Sequence, residues 1–118
     1  MKKTLIYLSV IILAAFTFTS CSSNKAKVAP DPTTPSATVS IQGFAFSPAT
    51  VNIKAGQSVM WTNKDSAPHT ATDLGGLFDS GSLATNQSFS FTFHTAGTYT
   101  YHCLIHSMMT SATVVVTN

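Results

Sequence analysis

The 118-residue chain has room for one domain, is 44% hydrophobic and only 8% charged, and carries a net charge of +2. From Thr38 onward just Lys54 and Lys64 face Asp65, Asp73 and Asp79, so the positive excess sits in the N-terminal segments. No basic patch remains there to neutralise phosphates, which excludes nucleic-acid binding.

Residues 1–20 read as an export signal. Lys2 and Lys3 supply its charged start and the run Leu5 to Phe18 its apolar centre. That run falls short of the roughly 20 apolar residues that span a bilayer. It ends in Phe18-Thr19-Ser20-Cys21, which resembles the cleavage box of bacterial lipoproteins. The resemblance implies cleavage before Cys21 and a diacylglycerol on its sulfur. An ordinary signal peptide leaving Cys21 as a thiol is the plainer alternative. A Cys21–Cys103 disulfide is discounted, because it would consume the most chemically informative residue of the chain. Residues 21–37 carry Pro30, Pro32 and Pro35 among Ser, Thr, Ala and Lys, without apolar periodicity. They are expected to form an extended tether that holds the domain off a membrane surface.

At residues 38–118 the hydrophobic period becomes two, the mark of half-buried strands. Val39 and Ile41 alternate with polar neighbours, and Gly43 allows a bend before Phe44 and Phe46. Val51 and Ile53 share a face, Ala55-Gly56-Gln57 turns the chain, and Val59 and Trp61 alternate again. Residues 63–68 form a loop that delivers His69, and the glycine-rich stretch from Leu74 to Leu83 reads as irregular. Phe89, Phe91 and Phe93 alternate strictly, His94 to Gly97 turns, and Tyr99, Tyr101 and Cys103 lie on one face. Ala112 to Thr117 closes the chain as a Val-rich strand. Seven to eight short strands predict an all-β, antiparallel Greek-key sandwich. A domain this small buries only about 60% of its unfolded surface, so the aromatic alternations and Trp61 must supply most of the core.

The chemistry concentrates in Cys103-Leu104-Ile105-His106-Ser107-Met108-Met109, a Cys-x-x-His-x-x-Met pattern. Thiolate and thioether are soft ligands that suit Cu(I), and imidazole suits either copper oxidation state. Each residue alone is ordinary: a packed thiol, a loop histidine, a gap-filling methionine. Together at this spacing they point to a metal site, which one further histidine would complete. His94 sits in a turn, and His102 faces away from Cys103. His69 remains as the upstream histidine able to arrive from a separate strand, while Met60 reads as packing.

These residues, with Phe46-Ser47-Pro48, Val51 to Gly56, Val59 to Asn63, Pro68-His69, Phe78 to Gly81 and Gly97 to Cys103, resemble the cupredoxins. Those are small type 1 (blue) copper proteins of the plastocyanin and amicyanin kind, and the short His106-to-Met109 spacing is like amicyanin. The resemblance implies one copper cycling between Cu(I) and Cu(II). It makes His69, Cys103 and His106 the equatorial ligands and Met109 the axial one. Ile105 stands where many relatives have Pro, and Thr70 where many have Asn bonded to the ligand loop. The Thr70 hydroxyl offers a similar bond.

A rigid site of three strong ligands and one weak one suits neither copper state fully, so an electron moves with little rearrangement. The expected function is one-electron transfer between redox partner proteins by an exported monomer, anchored at the cell envelope through Cys21 and facing the periplasm or cell surface. No acid, base or small-molecule substrate site is evident, so no enzymatic activity is expected. A multicopper oxidase would need paired His-x-His motifs, which are missing. A copper carrier or storage module would favour exposed thiols, whereas Cys103 is expected inside. A structural zinc site lacks a second ligand pair of the usual kind.

Overall fold

The computed structural model describes residues 34–118, so the export signal, Cys21 and most of the tether lie outside the described part. Eight strands follow in order: β1 (Ala37–Gln42), β2 (Ala45–Ser47), β3 (Thr50–Lys54), β4 (Ser58–Asn63), β5 (Thr72–Asp73), β6 (Ser88–Thr92), β7 (Gly97–His102) and β8 (Ala112–Thr117). They form two four-stranded sheets, ordered β2-β1-β4-β6 and β3-β8-β7-β5. The all-β sandwich is as expected, and its sheets are mixed. β1 pairs with β4, and β3 with β8, in parallel. Period two marks which side chains face inward in either kind of pair, and it carries no information about the partner's direction.

Inward residues from both sheets meet around Trp61, which is fully buried on β4. Its indole stacks on Phe78 at 5.0 Å between centroids and meets Tyr101 edge-on at 5.4 Å. Phe93, Val39, Ile41, Val59 and Val114 close the same core. Aromatic pairs of this kind add about 0.5–1.5 kcal/mol each beyond area burial. Phe78 and Leu83 are buried too, although the glycine-rich stretch that carries them is irregular. Two isolated bridges, His69 with Leu83 and Thr72 with Asp79, fasten that stretch to the sandwich.

The β1–β2 hairpin turns on two residues, Gly43 (φ 61°) and Phe44 (φ 57°). Both lie in the left-handed region, as a tight hairpin of matching twist requires. Glycine adopts it freely; for a bulky residue such as Phe it is a strained conformation, at a cost of about 1–3 kcal/mol. The strain persists because the Asp65 carboxylate accepts the N–H groups of both Gly43 (2.7 Å) and Phe44 (2.9 Å).

Candidate metal centre

β4 ends in Asn63, a fully buried amide with every polar atom engaged. Its Nδ2 donates to the carbonyls of Ala67 and Leu83, each at 2.8 Å, and its Oδ1 accepts the Asp65 N–H at 2.9 Å. This anchors the loop that carries His69. The backbone of His69 then exchanges two hydrogen bonds with Leu83, at 3.1 and 2.7 Å. Its imidazole is 0% exposed and its Nε2 lies 2.9 Å from Asp65 Oδ2. An ionised carboxylate only accepts, so Nε2 carries the proton and Nδ1 keeps its lone pair. Asp65 is held below the usual carboxylate range, first by the Phe44 and Gly43 N–H groups, against some desolvation, and then by His69.

Cys103 follows β7 on the inward face, 1% exposed. The Thr70 N–H donates to its Sγ at 3.3 Å. Burial pushes this thiol up, but hydrogen bonds to the thiolate, first from the Thr70 N–H, outweigh it and bring it down to about 6. The Thr70 hydroxyl accepts the Leu104 N–H at 2.8 Å, so the bond expected of that residue is formed. The loop then tightens into a turn in which the Met109 N–H donates to the His106 carbonyl at 3.0 Å. That turn sends Met108 into solvent, 89% exposed, and Met109 inward, 6% exposed.

Three donor atoms converge. Cys103 Sγ lies 3.7 Å from His69 Nδ1 and 3.8 Å from His106 Nδ1, and the two nitrogens are 3.1 Å apart. With metal–nitrogen bonds of about 2.0 Å and a metal–thiolate bond of about 2.3 Å, trigonal geometry separates sulfur from nitrogen by about 3.7 Å. A shared cation thus accounts for both sulfur–nitrogen spacings, and for two imidazole nitrogens turned toward each other at 3.1 Å, a little inside the about 3.5 Å of an even trigonal plane. The donor set, one thiolate and two imidazoles with a thioether on the same turn, is soft to intermediate and fits copper.

Of the other residues weighed from the sequence, His94 is exposed after β6, and Met60 lies partly buried along β4. His102 points to the opposite side of β7 from Cys103, with its Nδ1 buried and unpartnered. Two contributors were not anticipated. Asp65 links the His69 ring to the hairpin, and its position four residues before His69 was the available sequence signal. Phe44 sets its ring edge-on to both imidazoles, at 5.2 Å from His69 and 5.0 Å from His106. No periodicity marks that role, since it depends on the left-handed turn.

Residues 10–116 match the family model described as a cupredoxin-like domain. The chain is 29% identical over 120 aligned positions to amicyanin from Paracoccus denitrificans, covering 92% of each chain. It is 35% identical over 82 positions to amicyanin-alpha from Methylorubrum extorquens, covering 65% of this chain and 69% of that one. Among solved structures, a purple cupredoxin from Nitrosopumilus maritimus superposes with a TM-score of 0.63 at 30% identity. That match covers 69% of this chain and 99% of the other.

Proposed function

The chain belongs to the cupredoxin-like family, and on that premise we propose that it is a one-electron carrier built on a single type 1 copper. The observation that carries this reading is the triangle of Cys103 Sγ, His69 Nδ1 and His106 Nδ1, with sides of 3.7, 3.8 and 3.1 Å. In this reading those three residues would hold the metal, and Met109 would add a thioether ligand. Bound copper supplies the one-electron cycle between Cu(II) and Cu(I).

The protein's part is to keep the donors still. The Thr70 N–H donates to the sulfur, stabilising it as a thiolate. The Asp65 carboxylate holds the His69 ring in one tautomer and one orientation, as outer partners of metal-bound histidines do. His106 is the half-buried ligand; the exposed Phe44 ring packs against it, and exposed Leu104, Ile105 and Met108 flank it along the chain. This apolar face around the more accessible imidazole of the site is where a redox partner protein would dock. The burial of Cys103 disfavours a carrier that hands its copper over by thiol exchange. No enzymatic role is proposed.

Export and anchoring complete the reading. The charged start, the apolar run, Cys21 and the proline-containing tether support a lipoprotein with a copper domain at residues 38–118. Cys21→Ser should move the mature protein from membrane to soluble fractions or block its processing; a wild-type protein found wholly soluble would reject the anchor. For the carrier itself, voltammetry should give a reversible one-electron wave, with copper retained against a chelator in both states. Loss of copper on reduction would favour metal handling over electron transfer.

A further inference from the structure

A hydroxyl both donates and accepts, so the Thr70–Leu104 bond that fastens the ligand loop depends on where the Thr70 proton goes. The Thr72 hydroxyl lies 3.0 Å from Thr70 Oγ1 and also 3.0 Å from Asp79 Oδ1. Thr72 has one proton for these two contacts. The Asp79 carboxylate can only accept, and it is fixed in place by the Gly81 N–H at 2.9 Å. The Thr72 hydroxyl is the donor in both contacts, so its one proton is shared between Thr70 Oγ1 and Asp79 Oδ1. Thr70 Oγ1 thus accepts from Thr72 on one lone pair and from the Leu104 N–H, at 2.8 Å, on the other.

We infer that Thr72 and Asp79 are positioning residues for the metal site, acting through Thr70 on the loop that starts at Cys103. Thr72 fixes the Thr70 hydroxyl oxygen that the Leu104 N–H meets, and Asp79 in turn fixes Thr72. The scaffold supports the placement. Thr72 stands on β5 opposite His102 of β7, and Thr72 and Asp79 face each other across an isolated bridge. The neighbouring Ala71–Ser80 pair locks the same two segments, with the Ala71 N–H on Ser80 Oγ at 2.8 Å and the Ser80 N–H on the Ala71 carbonyl at 3.0 Å. Thr70 itself is buried, so its hydroxyl has little recourse to water.

The inference rests on the copper reading only for its consequence on potential; the relay itself is testable without metal. The experiment is amide hydrogen exchange by NMR on the full chain, metal-free and then Cu(I)-loaded, with Val114 in β8 as the core reference. Thr72→Val should speed Leu104 exchange by about tenfold, the worth of one good hydrogen bond, and leave Val114 unchanged. Thr72→Ser should restore the wild-type rate, and Asp79→Ala should give a smaller increase of about threefold. In the copper-loaded protein Thr72→Val should shift the midpoint potential and Thr72→Ser should not. Leu104 exchange within about twofold of wild type in Thr72→Val, or equal acceleration at Val114, or no rescue by Ser, would overturn the positioning role. A protein that bound no copper yet showed the exchange pattern would keep the relay and reject the copper reading.

Discussion

His69 and His106 present the same atom, Nδ1, to the same sulfur, yet very different amounts of protein hold them. His69 is fully buried, paired through its backbone with Leu83 and through Nε2 with Asp65. His106 is half-buried on a short turn, with the Phe44 ring edge as its roof. One side of the site is therefore part of the sandwich and the other is attached to it. For a carrier this asymmetry is useful: the fixed side limits rearrangement, and the attached side brings an imidazole edge to the surface.

The largest test of that contrast removes each ring. His69→Ala should destabilise the metal-free domain by about 2–3 kcal/mol, since it empties a closed space and removes the bond to Asp65. His106→Ala should cost within about 1 kcal/mol, as substitutions at half-exposed turns do. Chemical denaturation of the two variants checks this, and equal losses would erase the distinction between the two sides.

Asp65→Ala comes next, because it leaves the His69 Nε2–H buried without an acceptor and frees the hairpin N–H groups. Loss of such an outer partner weakens metal affinity by about tenfold to a hundredfold. The midpoint potential should rise as well, because a less basic imidazole favours Cu(II) less. An unchanged potential would show that the carboxylate only supports the hairpin.

The Cys103 thiol gives a pH prediction for the metal-free protein. Its folded value, about 6, lies below the ordinary 9.0, with burial opposing the shift and hydrogen bonds to the thiolate, first from the Thr70 N–H, producing it. A lowered value means the folded state binds its proton less tightly than the unfolded one. The resulting stability is fully present above pH 9 and is lost as pH falls through about 6. Ultraviolet absorbance of the thiolate should titrate near that pH, and a midpoint above 8 would contradict the hydrogen-bond account. Phe44→Gly is the mildest change. Relief of the left-handed strain and the greater freedom of the unfolded chain should nearly cancel, leaving stability within about 1 kcal/mol. Copper release to a chelator should still quicken, because His106 loses its roof; an unaltered release rate would leave the ring no such role.

Legibility in the sequence followed the same division. Alternation exposed the inward faces of Val39 and Ile41, of Val51 and Ile53, and of Tyr101 and Cys103, because side chains on a strand switch sides at every residue. Met109 was picked out from Met108 by its spacing from His106, whereas a turn, not strand alternation, points the two side chains apart. Alternation could not reveal that β1 and β4 run parallel, since facing strands of either sense bury the same residues. The burial of Phe78 and Leu83 was hidden in a stretch with no period, fixed by bridges to His69 and Thr72 that exist only in three dimensions. Phe44 was the least legible. Its place beside both imidazoles needs a backbone conformation that phenylalanine disfavours, imposed from 21 residues away by Asp65.

The most direct test of the central claim is the visible spectrum of the copper(II)-loaded protein beside its Cys103→Ser variant. The site as described predicts an intense thiolate-to-copper band in the wild type that bleaches on one-electron reduction and returns on reoxidation. The variant should fold and lack the band. A pale wild-type protein, or a variant that keeps its colour, would contradict a copper centre built on Cys103.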